Sequence, residues 1–377
     1  MNNAASTPPP AEIGAPLATV DTPSLLLDLD AFERNLDALH ASLAGLPVRV
    51  RPHAKAHKCA EIALRQLARG AVGICCQKVS EAEAFVRAGI EDVFIVNEVV
   101  GAAKLARLAR LAGRARMGVA VDDAGNVGDL DRAAGDAGVT LDVLVEIDVG
   151  LNRCGVEPGP AAVTLARHVA DAANLRFAGL QAYQGRAQQV RAFDERRAAA
   201  AAAAAQARTT IGLLADAGLN AATVTGGGTG TYRFDAASGV YTEIQPGSYV
   251  FMDADYGRNL EEDGGATRVF EQSLFVLTTV MSHAVPGRAV VDAGVKAHSV
   301  DAGMPLVHAV PGARYTRASD EHGVIELDGP GTLAIGQKIR LVPGHCDPTV
   351  NLHDWLVCFR KDRVEAIWPV TARGAFY

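Results

Sequence analysis

The chain has no C-x-x-C pair, no apolar run of the roughly 18 residues a membrane span requires, and no surplus of basic residues. Its six cysteines, Cys59, Cys75, Cys76, Cys154, Cys346 and Cys358, are scattered through 377 residues, so a disulfide framework is not expected and a reducing, cytoplasmic setting fits best. A net charge of -7 argues against a nucleic-acid or anionic-membrane surface, and no such partner is expected. Residues 1–16 carry neither a basic n-region nor an apolar h-region, and Thr7-Pro8-Pro9-Pro10 reads as part of a flexible tail over residues 1–21. What the chain does have is apolar content, 49% hydrophobic residues, enough for a sizeable core, and a length that suits one large domain and a smaller one or two of moderate size.

From residue 24 to about 230 short β-branched runs alternate with helix-period stretches. The pattern predicts strands at 24–29, 47–51, 73–76, 93–97, 117–121, 141–147, 177–183 and 222–225, with helices such as 31–44, 61–69, 81–88, 103–112 and 160–173 between them. Eight alternations predict an α/β fold, a closed (β/α)8 TIM-like barrel over residues 22–265, with an open doubly wound sheet as the alternative. The eight alanines from Ala198 to Ala205 belong to a long helix with a lightly packed face. Beyond residue 265 short strands separated by turn signals predict a smaller C-terminal β domain over 266–377.

Chemistry-bearing residues fall where a barrel exposes its functional ends. Lys55, in Arg51-Pro-His-Ala-Lys-Ala-His-Lys58, follows the predicted second strand, and a lysine there suits a covalent cofactor. Its neighbours Arg51, His53, His57 and Lys58 form a cationic field expected to lower its pKa; a basic surface loop is the plainer alternative. The loop Thr225-Gly-Gly-Gly-Thr-Gly-Thr231 offers backbone N–H groups and hydroxyls to a phosphate, or is only a turn. Arg153, after the sixth predicted strand, is either a cation at the functional face or half of a structural salt bridge, and Tyr183 closes the seventh. His345 and Asp347, two apart in a Pro-bounded turn, suit one divalent ion with room left for water and substrate. Oxygen-rich coordination favours Mn²⁺ or Mg²⁺, and the imidazole also admits Zn²⁺ or Co²⁺.

These segments, together with residues 73–81, 235–242 and 303–307, resemble the D-threonine aldolase family from about Thr22 to Trp368. The resemblance implies an alanine-racemase-like barrel plus β domain, a head-to-tail homodimer, pyridoxal phosphate held on a lysine, and a divalent cation. Carried over residue by residue, Lys55 is the cofactor lysine, and Arg153 faces the cofactor's 3′-oxygen. Gln245 faces its pyridine nitrogen. Thr225, Gly227, Gly228, Ser248 and Tyr249 contact its phosphate, and Gln77 and Tyr183 flank the ring. His345 and Asp347 hold the metal. The implied reaction is retro-aldol cleavage of a D-β-hydroxy-α-amino acid, D-threonine giving glycine and acetaldehyde.

Three alternatives stand beside that reading. D-serine and 3-hydroxyaspartate dehydratases resemble the chain, but their metal motif resembles His-x-Cys, whereas Asp347 stands third here. A β-hydroxyaspartate aldolase would need only a cation in the pocket; Arg186 stands where some family members carry a histidine. Small cofactor-homeostasis barrels lack the second domain. The roles of His53 and His57 stay open.

Overall fold

The computed structural model describes residues 7–328 and 333–377. Eight parallel strands form the first sheet: Arg49–Val50 (β2), Ile74–Cys76 (β3), Asp92–Glu98 (β4), Arg116–Val121 (β5), Leu141–Glu146 (β6), Leu175–Ala182 (β7), Thr223–Gly226 (β8) and Glu243–Ile244 (β9). Their spatial order is β2-β9-β8-β7-β6-β5-β4-β3. A parallel bridge between His53 and Cys75, with Val72 N donating to Val50 O at 3.0 Å, joins the two ends and closes the barrel.

The strand Ser24–Asp28 (β1) is not part of this barrel. It pairs antiparallel with Leu274–Val285 (β10) and parallel with Trp355–Arg360 (β16) in the second sheet. The predicted first barrel strand is therefore a strand of the β domain, and β9, absent from the sequence reading, completes the eight. Leu25, Leu26 and Leu27 are all fully buried. Such a run reads alike in a parallel barrel and in the middle of a sheet covered on both faces. Lys55 accordingly follows the first barrel strand, not the second.

The second sheet continues with Arg288–Val291 (β11), Leu306–His308 (β12), Ala313–Ala318 (β13), Gly323–Leu327 (β14), Lys338–Val342 (β15) and Arg363–Pro369 (β17). The strands at 306–308 and 313–318, and a short helix at Cys346–Val350, were not anticipated. The tail, from Thr7 on, is anchored to this sheet. Gly14 N donates to Val364 O at 2.8 Å, Trp355 Nε1 donates to Thr7 O at 3.2 Å, and Pro16 bridges Arg363. Residues 1–6 of the expected flexible tail lie outside the described residues.

Helices start and face as their sequences dictate. Asp28 caps the helix Leu29–Ser42 through the N–H groups of Asp30 and Ala31, and Leu29, Phe32, Leu36 and Leu39 line its buried stripe. The alanine run lies in Phe193–Asp216, where Ala200, Ala203, Ala204 and Ala207 pack inward. Inside the barrel, Cys75, Phe94, Val96, Leu144 and Ala178 form a small core. The Arg51 guanidinium lies 4.1 Å from the Phe94 ring centroid and pairs with Glu243 at 2.7 Å and Asp92 at 2.6 Å. Gly118 has no side chain because a Cβ there would stand 2.5 Å from Phe94 Cδ1.

Candidate active site

The C-terminal ends of the barrel strands surround a cavity of about 320 Å³, within the range of about 300–1,000 Å³ for small-molecule sites. Of the residues expected at a site, Lys55, Gln77, Arg153, Tyr183, Gly228, Gln245 and Ser248 line it. His53, whose role the sequence left open, and Thr229 of the glycine loop line it too, as do Val96, Gln181, Gly247 and Tyr256, which the sequence reading had not singled out. Of these, Gln181 carried a signal: it is the one amide or charged residue in the predicted strand 177–183.

Lys55 sits in the 3₁₀ turn Ala54–Ala56 directly after β2, and His53 caps that turn by accepting from Lys55 N at 3.4 Å. Its Nζ forms an ion pair with Asp347. Asp347 belongs to the Cys346–Val350 helix of the β domain, so two site residues 292 positions apart meet here. Burial works against the lysine charge, but Asp347, joined by Tyr183 and Cys346, outweighs it and the Lys55 pKa is raised. This corrects the expected lowering by a cationic field. Of the basic neighbours, Arg51 is engaged by Glu243 and Asp92, and Lys58 pairs with Glu81 at 3.0 Å. Burial, then Lys55, holds His53 well below the usual histidine range, so it is neutral. On Asp347 burial opposes ionisation, yet Lys55 and His345 prevail and its carboxyl lies well below the usual range.

The two histidines near Lys55 differ in role. His53 Nε2 lies 2.8 Å from the Gln77 amide at the cavity wall. His57 faces away: its Nδ1 accepts from Cys59 N at 3.1 Å, its ring packs edge-on to Phe85, and burial lowers its pKa to about 4. His345 and Asp347 are held from behind. Asp301 Oδ2 lies 2.8 Å from His345 Nδ1, leaving Nε2 to ligate an ion. Asp253 accepts from Cys346 N at 2.9 Å, which pins the start of the short helix.

The glycine loop forms a cradle. Among the described residues no protein acceptor meets the N–H groups of Gly228, Thr229 or Ser248, all three at the cavity. A Cβ on Gly228 would lie 2.5 Å from Gln188 Oε1, and one on Gly247 would lie 2.9 Å from His53 O. Such unpartnered donors suit a phosphate. Three residues expected at the phosphate do not line the cavity. The Thr225 hydroxyl accepts from Gln245 Nε2 at 2.8 Å, and Gly227, at φ +70°, packs against Asp235. The Tyr249 ring lies in the core beside Phe270, its hydroxyl accepting from Gln66 at 3.1 Å. Gln245 also exchanges hydrogen bonds with Gln181, which fixes a neutral amide at the cavity floor. Arg186 is exposed, and its side chain is not among those lining the cavity.

A barrel of this topology with a strand-end lysine and a phosphate-like cradle, followed by a mostly antiparallel second sheet, is the architecture of the alanine-racemase-like enzymes that work through pyridoxal phosphate. The comparisons agree. Residues 27–255 match the family "Alanine racemase, N-terminal domain" and residues 273–359 the "Putative serine dehydratase domain". The chain is 54% identical to a D-threonine aldolase of an Arthrobacter species, over 97% of this chain and 96% of that one. It is 49% identical to a 3-hydroxy-D-aspartate aldolase of Paracoccus denitrificans (strain Pd 1222), covering 98% and 96%. A crystal structure of D-threonine aldolase from Filomicrobium marinum superimposes with a TM-score of 0.95 at 55% identity, covering 98% of this chain and all of that one. The chain belongs to this D-threonine aldolase family and is a carbon–carbon lyase.

Proposed function

We propose that the enzyme cleaves D-β-hydroxy-α-amino acids between Cα and Cβ, with D-threonine giving glycine and acetaldehyde, and that it needs a divalent cation, Mn²⁺ foremost. The observation that carries this reading is the meeting of Lys55 and Asp347 at the cavity. It sets the would-be cofactor attachment beside the would-be metal ligands. Pyridoxal phosphate bound on Lys55 supplies an electron sink for charge left at Cα. A divalent ion held by His345 and Asp347 supplies Lewis acidity toward a substrate hydroxyl.

The protein's own groups do the rest. The cradle of Gly228, Thr229 and Ser248 binds an anion, and Arg153 offers a cation over the Tyr183 ring, 5.8 Å from its centroid. Neutral His53, with Nδ1 accepting from Lys55 N, carries its ring proton at Nε2, beside the Gln77 amide, and can give it up there. Gln245 keeps formal negative charge away from the cavity floor. We further propose a homodimer acting on small amino acids in the cytoplasm; size-exclusion chromatography with light scattering tests the assembly. Arg153 also fits a second substrate carboxylate, which favours 3-hydroxyaspartate as the other substrate.

The test is product analysis with D-threonine after chelator-treated protein receives pyridoxal phosphate and Mn²⁺. Glycine plus acetaldehyde, lost again with EDTA, is the expected result. 2-Oxobutanoate with ammonia would mean a dehydratase instead. Glyoxylate from 3-hydroxyaspartate with nothing from D-threonine would keep the bond cleavage and move the substrate.

A further inference from the structure

Three adjacent barrel strands end in acids. Glu98 is the last residue of β4, Asp122 follows β5, and Glu146 is the last residue of β6. Parallel neighbours bring such terminal residues side by side, and the loop after β6 folds Cys154 back onto them. One donor atom each from Glu98, Asp122 and Cys154 lies within 4.8 Å of the others. Metal–ligand bonds of about 2.0–2.3 Å put tetrahedral donors roughly 3.3–3.8 Å apart, so a small inward movement would close the set on one ion. Gly155 N donates to Asp122 Oδ2 at 3.0 Å, which fixes that carboxylate and leaves Oδ1 for a further ligand role.

An acidic cluster alone is no site, but Glu146 adds an independent observation. It is only 3% exposed, and among the described residues neither its buried Oε2 nor the buried Glu98 Oε1 meets an N–H or hydroxyl donor; the two acids face each other. The nearest cation, Arg153, stays 3.7 Å from Glu146 Oε1, too far for a hydrogen bond. Glu98 and Asp122 are the acids that face Glu146. Buried carboxylate oxygens without partners are costly and call for a proton or a cation.

We infer that Glu98, Asp122, Glu146 and Cys154 form a second cation site, separate from the His345–Asp347 pair and selective for a thiolate-accepting divalent ion such as Zn²⁺ or Co²⁺. The carboxylate and thiol donors argue for these borderline ions over Mg²⁺. None of the four residues lines the cofactor cavity. Cys154 adjoins Arg153, which does, so a cation here would sit directly behind a cavity-lining residue. Without a cation, burial and then Glu98 push the Glu146 carboxyl up to about 8. The same two causes push the Cys154 thiol up to about 11. Binding therefore releases protons at neutral pH.

The experiment titrates chelator-treated protein with Co²⁺ alone, following bound metal per chain and the thiolate-to-cobalt charge-transfer absorption. Two ions per chain are expected. His345→Ala should remove one and keep the thiolate band. Cys154→Ser and the near-isosteric Glu98→Gln should each remove the other and abolish the band, with circular dichroism unchanged. Cys346→Ser, beside the other pair, should leave the band intact. A band lost in Cys346→Ser but kept in Cys154→Ser would overturn the inference, as would a stoichiometry unaffected by Cys154→Ser and Glu98→Gln. One thiolate-dependent ion that survives His345→Ala, with no second ion, would uphold this site and sink the metal role of His345 and Asp347.

Discussion

Replacing Asp347 by Asn should move lysine reactivity and catalysis in opposite directions. In the cofactor-free protein burial lowers the pKa of the Lys55 ammonium, and Asp347, joined by Tyr183 and Cys346, more than reverses it. Asn keeps the shape and removes the charge, so burial then acts with little opposition. Loss of one contact charge lowers a pKa by about 1–3 units. The Lys55 side chain is 40% exposed, which places the change toward the lower half, about 1–2 units. Only the neutral amine attacks an aldehyde, so at a fixed pH below the midpoint capture should quicken roughly 10–100-fold, one power of ten per unit. The assay is the pH profile of covalent pyridoxal phosphate capture by wild type and variant, with Lys55→Ala as the blank. The midpoint should fall in the variant while D-threonine cleavage is lost with the metal ligand. An unchanged or raised midpoint would refute the reasoning.

Other outcomes follow from the same geometry. Lys55→Ala should abolish both cofactor retention and cleavage; full activity in that variant would end the proposed mechanism. Asp301→Asn should weaken Mn²⁺ binding about 10-fold, the low end for a supporting carboxylate since Asp301 is half exposed, with calorimetric titration as the check. Gly228→Ala should weaken pyridoxal phosphate retention in equilibrium dialysis, because its Cβ would meet Gln188 Oε1 at 2.5 Å. Arg51→Met leaves Glu243 to Arg49, 2.8 Å away, and Asp92 to Arg116, 3.0 Å away, and should cost up to about 3–5 kcal/mol in urea unfolding; a loss below about 1 kcal/mol would mean those two pairs suffice.

Local sequence determined the alternation of short apolar runs with helix-period segments, and with it the α/β class. It also marked Lys55, the glycine loop and the His345–Asp347 turn, because strand ends, φ-permissive glycines and Pro-bounded turns are local signals. Tertiary structure decided which strands form the barrel. The three leucines of β1 suit any doubly covered strand, and the two residues of β9 are too short to show a period. It decided that His53 faces the cavity while His57 turns away to accept from Cys59 N, although both flank Lys55 at the same distance in sequence. It set the charge state of Lys55, because the partner that outweighs burial arrives from 292 residues away. The cluster of Glu98, Asp122, Glu146 and Cys154 has no signature along the chain either. Side-chain chemistry is written residue by residue, whereas pKa, ligation and pairing depend on what the fold brings within a few ångströms.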